Sequence, residues 1–117
     1  MRVMKVLRLD EANAFDQSGT FNGSPDDQRD GFIHLSTEDQ LAGTVARHFS
    51  DDDGVIAEGL TVYAFEAETL GEMLRWEASR GGALFPHLYG ALDAGAIVTR
   101  YRIAGCEREK IMLEELG

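Results

Sequence analysis

The sequence predicts an α+β domain built on a bent, mostly antiparallel β-sheet with two or three helices. Three observations carry this. Short apolar runs with alternating character recur along the chain, in VMKVLRL, LTVYAFEA and IVTRYRI. One segment, LAGTVARHF, has helical spacing, with Leu41, Val45 and Phe49 at i, i+4 and i+8. Strands are not regularly followed by long helices, which argues against a doubly wound parallel sheet.

Taken in order, Val3 to Leu9 reads as the first strand. Asp10 caps a short helix to Gln17, ended by Gly19. GTFNGSPDD is rich in turn residues and reads as a loop. In DGFIHLS, Phe32, Ile33 and Leu35 make a short strand, with Ile33 and Leu35 inward and His34 on the opposite side beside Phe32 and Ser36. Ser36 then reads as the cap of the 41–49 helix, with Asp39 three residues on. In LTVYAFEA, Leu60, Val62 and Ala64 point one way, Tyr63 and Phe65 the other. AETLGEMLRWE begins as a helical turn and becomes a strand at Leu74–Glu77. SRGGALFP reads as a loop, HLYGAL as a short strand, and IVTRYRI as a last strand with Ile97, Thr99, Tyr101 and Ile103 on one face. Residues 1–103 form the domain. Residues 104–117 read as a C-terminal helical tail, with Ile111, Met112 and Leu116 at helical spacing.

The chain has 117 residues, enough for one domain that buries roughly two-thirds of its unfolded surface. Eleven basic residues against 21 acidic ones give a net charge of −10, which argues against non-specific nucleic-acid binding. The acidic runs at Asp26-Asp27, Asp51–Asp53 and Glu114-Glu115 read as solvated surface. Cys106 is the only cysteine, so no intrachain disulfide or cysteine metal cluster is expected. No window approaches a membrane span, and the apolar run of the N-terminus is too short for a signal peptide. The expectation is a soluble, cytoplasmic protein without a membrane partner.

The segment LRWEASRGGALFPHLYG, residues 74–90, concentrates chemistry. Arg75 and Arg80 suit a phosphate or carboxylate. Trp76, Phe85 and Tyr89 offer faces for a planar ring. Gly81 and Gly82 permit close backbone approach, with N–H groups for an anion. Glu77 suits a hydroxyl or a developing cation, and His87 stands between Phe85 and Tyr89. His34 with Ser36 supplies an imidazole and a hydroxyl on a second segment. His48, at the end of its helix, suits the helix dipole. His34, His48 and His87 lack the close spacing of a metal site, so no metal is expected. Two readings remain open for the 74–90 segment: a ligand-binding wall, or a polar loop tied to the sheet by an Arg–Glu pair and Trp76.

The motifs GFIHLS and RWE-x-SRGG-x-x-FPHLYG resemble the bacterial family called domain of unknown function 952, over roughly Val3 to Ile103. The resemblance implies the fold of ADP-ribosyltransferases, a split, bent sheet with a cleft for NAD. It implies that His34 and Ser36 meet the ribose and nicotinamide, that Tyr89 or Trp76 stacks on nicotinamide, and that Glu77 is the available acid. Glu77 precedes Tyr89, whereas in those enzymes the acid follows the aromatic. The implied function is binding of NAD or a related nucleotide, with possible transfer to a protein or small molecule. The alternative is a non-catalytic small-molecule binding or regulatory module. The site set is then Glu77 and His34 as catalytic residues, and Ser36, Arg75, Trp76, Arg80, Gly81, Gly82, His87 and Tyr89, with His34, as ligand contacts.

Overall fold

The computed structural model describes residues 1–107 and 110–116; the side chains of Arg80, Cys106 and Glu107 lie outside the described residues. Strand β1 (Arg2–Leu7) leads into helix α1 (Leu9–Ser18) and the short strand β2 (Thr20–Phe21). Helix α2 (Pro25–Asp30), β3 (Ile33–His34), a 3-10 turn (Glu38–Gln40) and helix α3 (Leu41–His48) follow. The second half runs through β4 (Thr61–Glu66), α4 (Ala67–Leu70), β5 (Leu74–Ala78), β6 (Leu84–Leu88), β7 (Leu92–Asp93), β8 (Ile97–Glu107) and β9 (Lys110–Glu115).

The strands form three antiparallel sheets: β1-β4-β8-β9, β3-β6-β5 and the pair β2-β7. This is the expected α+β architecture. Among the described residues the two larger sheets meet at one backbone bridge. There Met4 N–H donates to the Ser36 carbonyl at 2.7 Å, and Ser36 N–H to the Met4 carbonyl at 2.9 Å. Apolar side chains cover both faces of the four-stranded sheet. Val3, Leu7, Tyr63 and Phe65 pack with Phe15, Ile33, Leu35 and Leu88 on one side. Met4, Val6, Leu60, Val62 and Ala64 pack with Leu41 and Val45 on the other. The expected alternation in β4 and the stripe on α3 are both present.

Four local expectations are corrected. The segment expected to be a loop between α1 and β3 contains β2 and α2. Ser24 and Asp27 cap α2 reciprocally, each backbone N–H donating to the other's side chain at 2.9 and 3.2 Å, with Pro25 opening the first turn. The 3-10 turn that leads into α3 is capped by Thr37, whose N–H donates to Gln40 Oε1 at 3.0 Å, so the Ser36 hydroxyl is not spent on capping. The last strand does not keep one face. A bulge between its pairings with Ala64 and Phe65 turns Ile97 to the first core cluster, while Tyr101 and Ile103 pack on the second. The 110–115 segment is a strand hairpinned on β8, not a helix. Every second side chain, Ile111 and Leu113, packs on the second cluster, a spacing of two that a strand satisfies. Residues 108–109 and 117 of the helical tail expected there lie outside the described residues. No described helix is long and apolar enough to cross a membrane.

Candidate functional site

Strand pairing fixes which side chains share a face. β3 pairs with β6, placing His34 opposite His87, and β5 pairs with β6, placing Arg75 opposite His87 and Glu77 opposite Phe85. Because side chains alternate, Arg75, Glu77, Phe85, His87 and His34 line one face. Ile33, Leu74, Trp76, Pro86 and Leu88 fall on the other. His34 therefore faces away from Ile33, as its strand position predicts.

An aromatic cluster joins the two motifs. The Phe32 ring stacks on His87 at 4.0 Å between centroids, and lies 4.7 Å from His34 and 5.3 Å from Tyr89. The His34 and His87 rings meet edge to face at 5.7 Å.

His34 and His87 are each held by acid. His87 Nδ1 stands 2.9 Å from Glu77 Oε1, and the Tyr89 hydroxyl donates to the same oxygen at 2.7 Å. These two bonds, the tyrosine's first, hold the Glu77 carboxyl below its ordinary range. The same bond to Glu77 pushes the Tyr89 phenol up. With Nδ1 engaged by a carboxylate, Nε2 is left for the cleft that His87 lines. On the far side of Tyr89, the Arg75 guanidinium covers its ring at 5.1 Å.

His34 is clamped from both ends, its Nδ1 2.6 Å from Asp27 Oδ1 and its Nε2 2.9 Å from Asp30 Oδ2. His34 thus presents a ring held in place at both nitrogens.

Asp27 is the hub of this arrangement. It is only 2% exposed, and the acid run that reads as solvated surface in fact supplies a buried charge. Its carboxylate accepts from the Ser24 and His34 backbone N–H groups and pairs with Lys5 Nζ at 2.8 Å. Lys5, itself buried in β1, also donates to the His34 carbonyl at 3.1 Å. Burial pushes the Asp27 carboxyl up, but the His34 bond, the Lys5 ammonium and the Ser24 N–H outweigh it. The net position is far below the usual carboxylate range. Gly23, at φ 111°, lets the chain turn here, since a Cβ would stand 2.9 Å from the Asp27 Cβ.

Three adjoining cavities, treated together as a groove because they share lining residues, lead from this cluster between α2 and α3. Its first part, of about 210 Å³, is lined by His34, Ser36, Thr44, Arg47, His87 and neighbours. It shares His34, Ser36, Thr44 and His48 with a second part of about 70 Å³. That in turn shares Lys5, Ser24, Asp26, His48 and Phe49 with a third of about 230 Å³ reaching Arg8. There the Arg8 guanidinium covers the Phe49 ring at 4.9 Å.

The expected site residues divide accordingly. His34, Ser36 and His87 line the groove. Glu77 and Tyr89 stand behind His87, and Arg75 behind Tyr89. Trp76 is on the opposite face and 39% exposed, because the odd–even alternation of β5 cannot turn it the same way as Glu77. Gly81 and Gly82, at φ 66° and 81°, close the β5–β6 hairpin, where Gly82 N–H donates to the Ser79 carbonyl. That N–H is therefore taken by the turn. The Arg80 side chain lies outside the described residues. Among the described residues no group of three or more His, Cys, Asp or Glu is placed to hold a metal ion.

Sequence reading missed Lys5, Asp27, Asp30, Arg47 and Phe32 as parts of the site. The signal for Asp27 was present: Ser24-Pro25-Asp26-Asp27 is a capping box with proline in the first helical position.

The profile of a family described as "Protein of unknown function (DUF952)" matches residues 6–100. No curated protein matches the chain. The crystal structure of protein CC0527 from Caulobacter crescentus is similar, with 38% identity and a TM-score of 0.83 over 97% of this chain and 94% of that one. A solution NMR structure of the same protein gives 39% identity and a TM-score of 0.75 over 94% and 90%.

Proposed function

Because the chain belongs to the DUF952 family, whose description assigns no activity, we propose a function from its own site: the groove binds NAD or a related nucleotide. One observation carries this reading. Residues from two distant motifs, His34 and the Glu77–His87–Tyr89 triplet, pack into a single cluster at one end of an elongated groove. The length of the groove suits an extended ligand, and its far end offers the Arg8–Phe49 pair as a platform for a planar ring.

The chemistry this arrangement supports is cleavage at a ribosyl carbon. Breaking the bond to a leaving base develops positive charge on the sugar, which an attacking hydroxyl quenches as it loses its proton. Glu77 is held at His87, so it acts through that imidazole, fixing its tautomer and leaving Nε2 to take a proton from an attacking hydroxyl. Calorimetric titration with NAD and ADP-ribose tests binding, and chromatography for released nicotinamide tests the reaction. No heat and no thermal shift at millimolar ligand would exclude the reading.

A second reading, a non-catalytic nucleotide or small-molecule module, is favoured by one detail: Glu77 already accepts from both His87 and Tyr89. It expects ligand stabilisation without nicotinamide release.

A further inference from the structure

We infer that the part of the groove beneath Arg47 is an oxyanion site, taking a phosphoryl group. The inference rests on reading the groove as a ligand site, and it names the chemistry of one end.

Three features converge there. Arg47, on the last turn of α3, is exposed, lines this part of the groove and makes no ion pair with a described residue. In a chain of net charge −10, a guanidinium left without a carboxylate inside a groove is a cation available to a ligand.

The second feature is a hydroxyl pair. Ser36 Oγ and Thr44 Oγ1 stand 2.7 Å apart, and both line the groove. Two hydroxyls carry two hydrogens, and only one lies between them. Whichever donates, the other hydrogen is left for a third acceptor, and among the described residues no protein acceptor takes it. An oxygen of a bound anion would.

The third is His87, whose Nδ1 is fixed by Glu77 and whose Nε2, facing the same space, accepts the hydrogen of a phosphate hydroxyl. Asp30 also lines this part, but its carboxylate is engaged by His34 Nε2 at 2.9 Å and Arg29 Nε at 3.2 Å. The volume of about 210 Å³ falls below that of pockets enclosing whole drug-sized ligands. It suits one polar group of a longer molecule.

The test is NMR titration of the labelled full chain with inorganic phosphate, against sodium chloride at equal ionic strength. The same titration is made with Arg47→Gln and Thr44→Val, and with adenosine, which has no phosphoryl group. Saturable shifts at Ser36, Thr44, Arg47 and His87, weakened at least about tenfold in Arg47→Gln, support the inference. Shifts no larger than those from chloride, or affinity unchanged in both variants, overturn it. Adenosine binding without phosphate binding overturns the oxyanion site while leaving the nucleotide reading intact. Phosphate binding at Arg47 with no response to adenosine or NAD supports the oxyanion site and overturns the nucleotide reading.

Discussion

Lys5 and Asp27 form an ion pair at 2.8 Å inside the protein, with 7% and 2% of their side chains exposed. The pair bolts β1 to the start of α2 and, through the His34 carbonyl and backbone N–H, to β3. Lys5→Met should cost about 3–5 kcal/mol, because a buried carboxylate then loses its cation. Urea denaturation measures this. A loss under about 1 kcal/mol would mean that the two His34 bonds suffice for Asp27.

Acid should find the same carboxylate. The folded-state pKa of Asp27 lies below the ordinary aspartate value of 3.8, so its contribution to stability is present above that value and lost as pH falls toward the folded-state pKa. Glu77 acts in the same direction below 4.5. Stability should therefore decline below about pH 4, and Asp27→Asn should flatten that decline. If Asp27→Asn is too unstable to measure, the carboxyl carbon resonance of Asp27 in the native chain decides. A midpoint near 3.8 would contradict the pairing.

Glu77→Gln should release Tyr89. Hydrogen bonding to the Glu77 carboxylate raises the phenol, so the variant's Tyr89 should ionise at lower pH than in the native chain. The Tyr89 Cζ resonance reports it directly. An unchanged midpoint would show that the bond is not formed in solution.

Trp76 is the single tryptophan and sits on the face opposite the groove. Saturating a ligand in the groove should leave its fluorescence nearly unchanged, and Trp76→Phe should retain the affinity. A large quench on titration would place the ligand elsewhere.

Gly23→Ala should destabilise by about 1–3 kcal/mol, through a left-handed φ and contact with the Asp27 Cβ. Thermal melting measures it. Gly31→Ala carries the φ strain at 84° without such a contact, and should cost less.

What the sequence made legible follows from local physics. The α3 stripe and the alternation of β4 are periodicities, and they survive folding intact. The same rule gives His34 its face. Composition groups Trp76 with Glu77, although adjacent strand positions necessarily point to opposite sides. Asp27 escaped notice because it reads as one of two surface acids. Its burial depends on Lys5, on β1, meeting it at the start of α2, and no local pattern encodes that meeting. The C-terminal strand was missed for a related reason. Ile111 and Leu113 have the spacing of a strand, but Met112 and Leu116 also allow a helix, and only pairing with β8 decides between them.

The bridge between Met4 and Ser36 has a consequence for folding cooperativity. The groove's walls come from elements on both sides of that seam: Lys5 and Arg8 from the β1 side, His34 and His87 from the three-stranded sheet. Any occupant spanning the groove therefore acts as a clamp across two sheets that share one backbone junction among the described residues. Amide hydrogens of β3 and β6 should exchange more slowly when the groove is filled, since an occupant that binds only the docked form shifts the opening equilibrium by mass action. Exchange protection gained at Leu88, whose side chain lies on the face away from the groove, would then report occupancy as a mechanical coupling of the two halves.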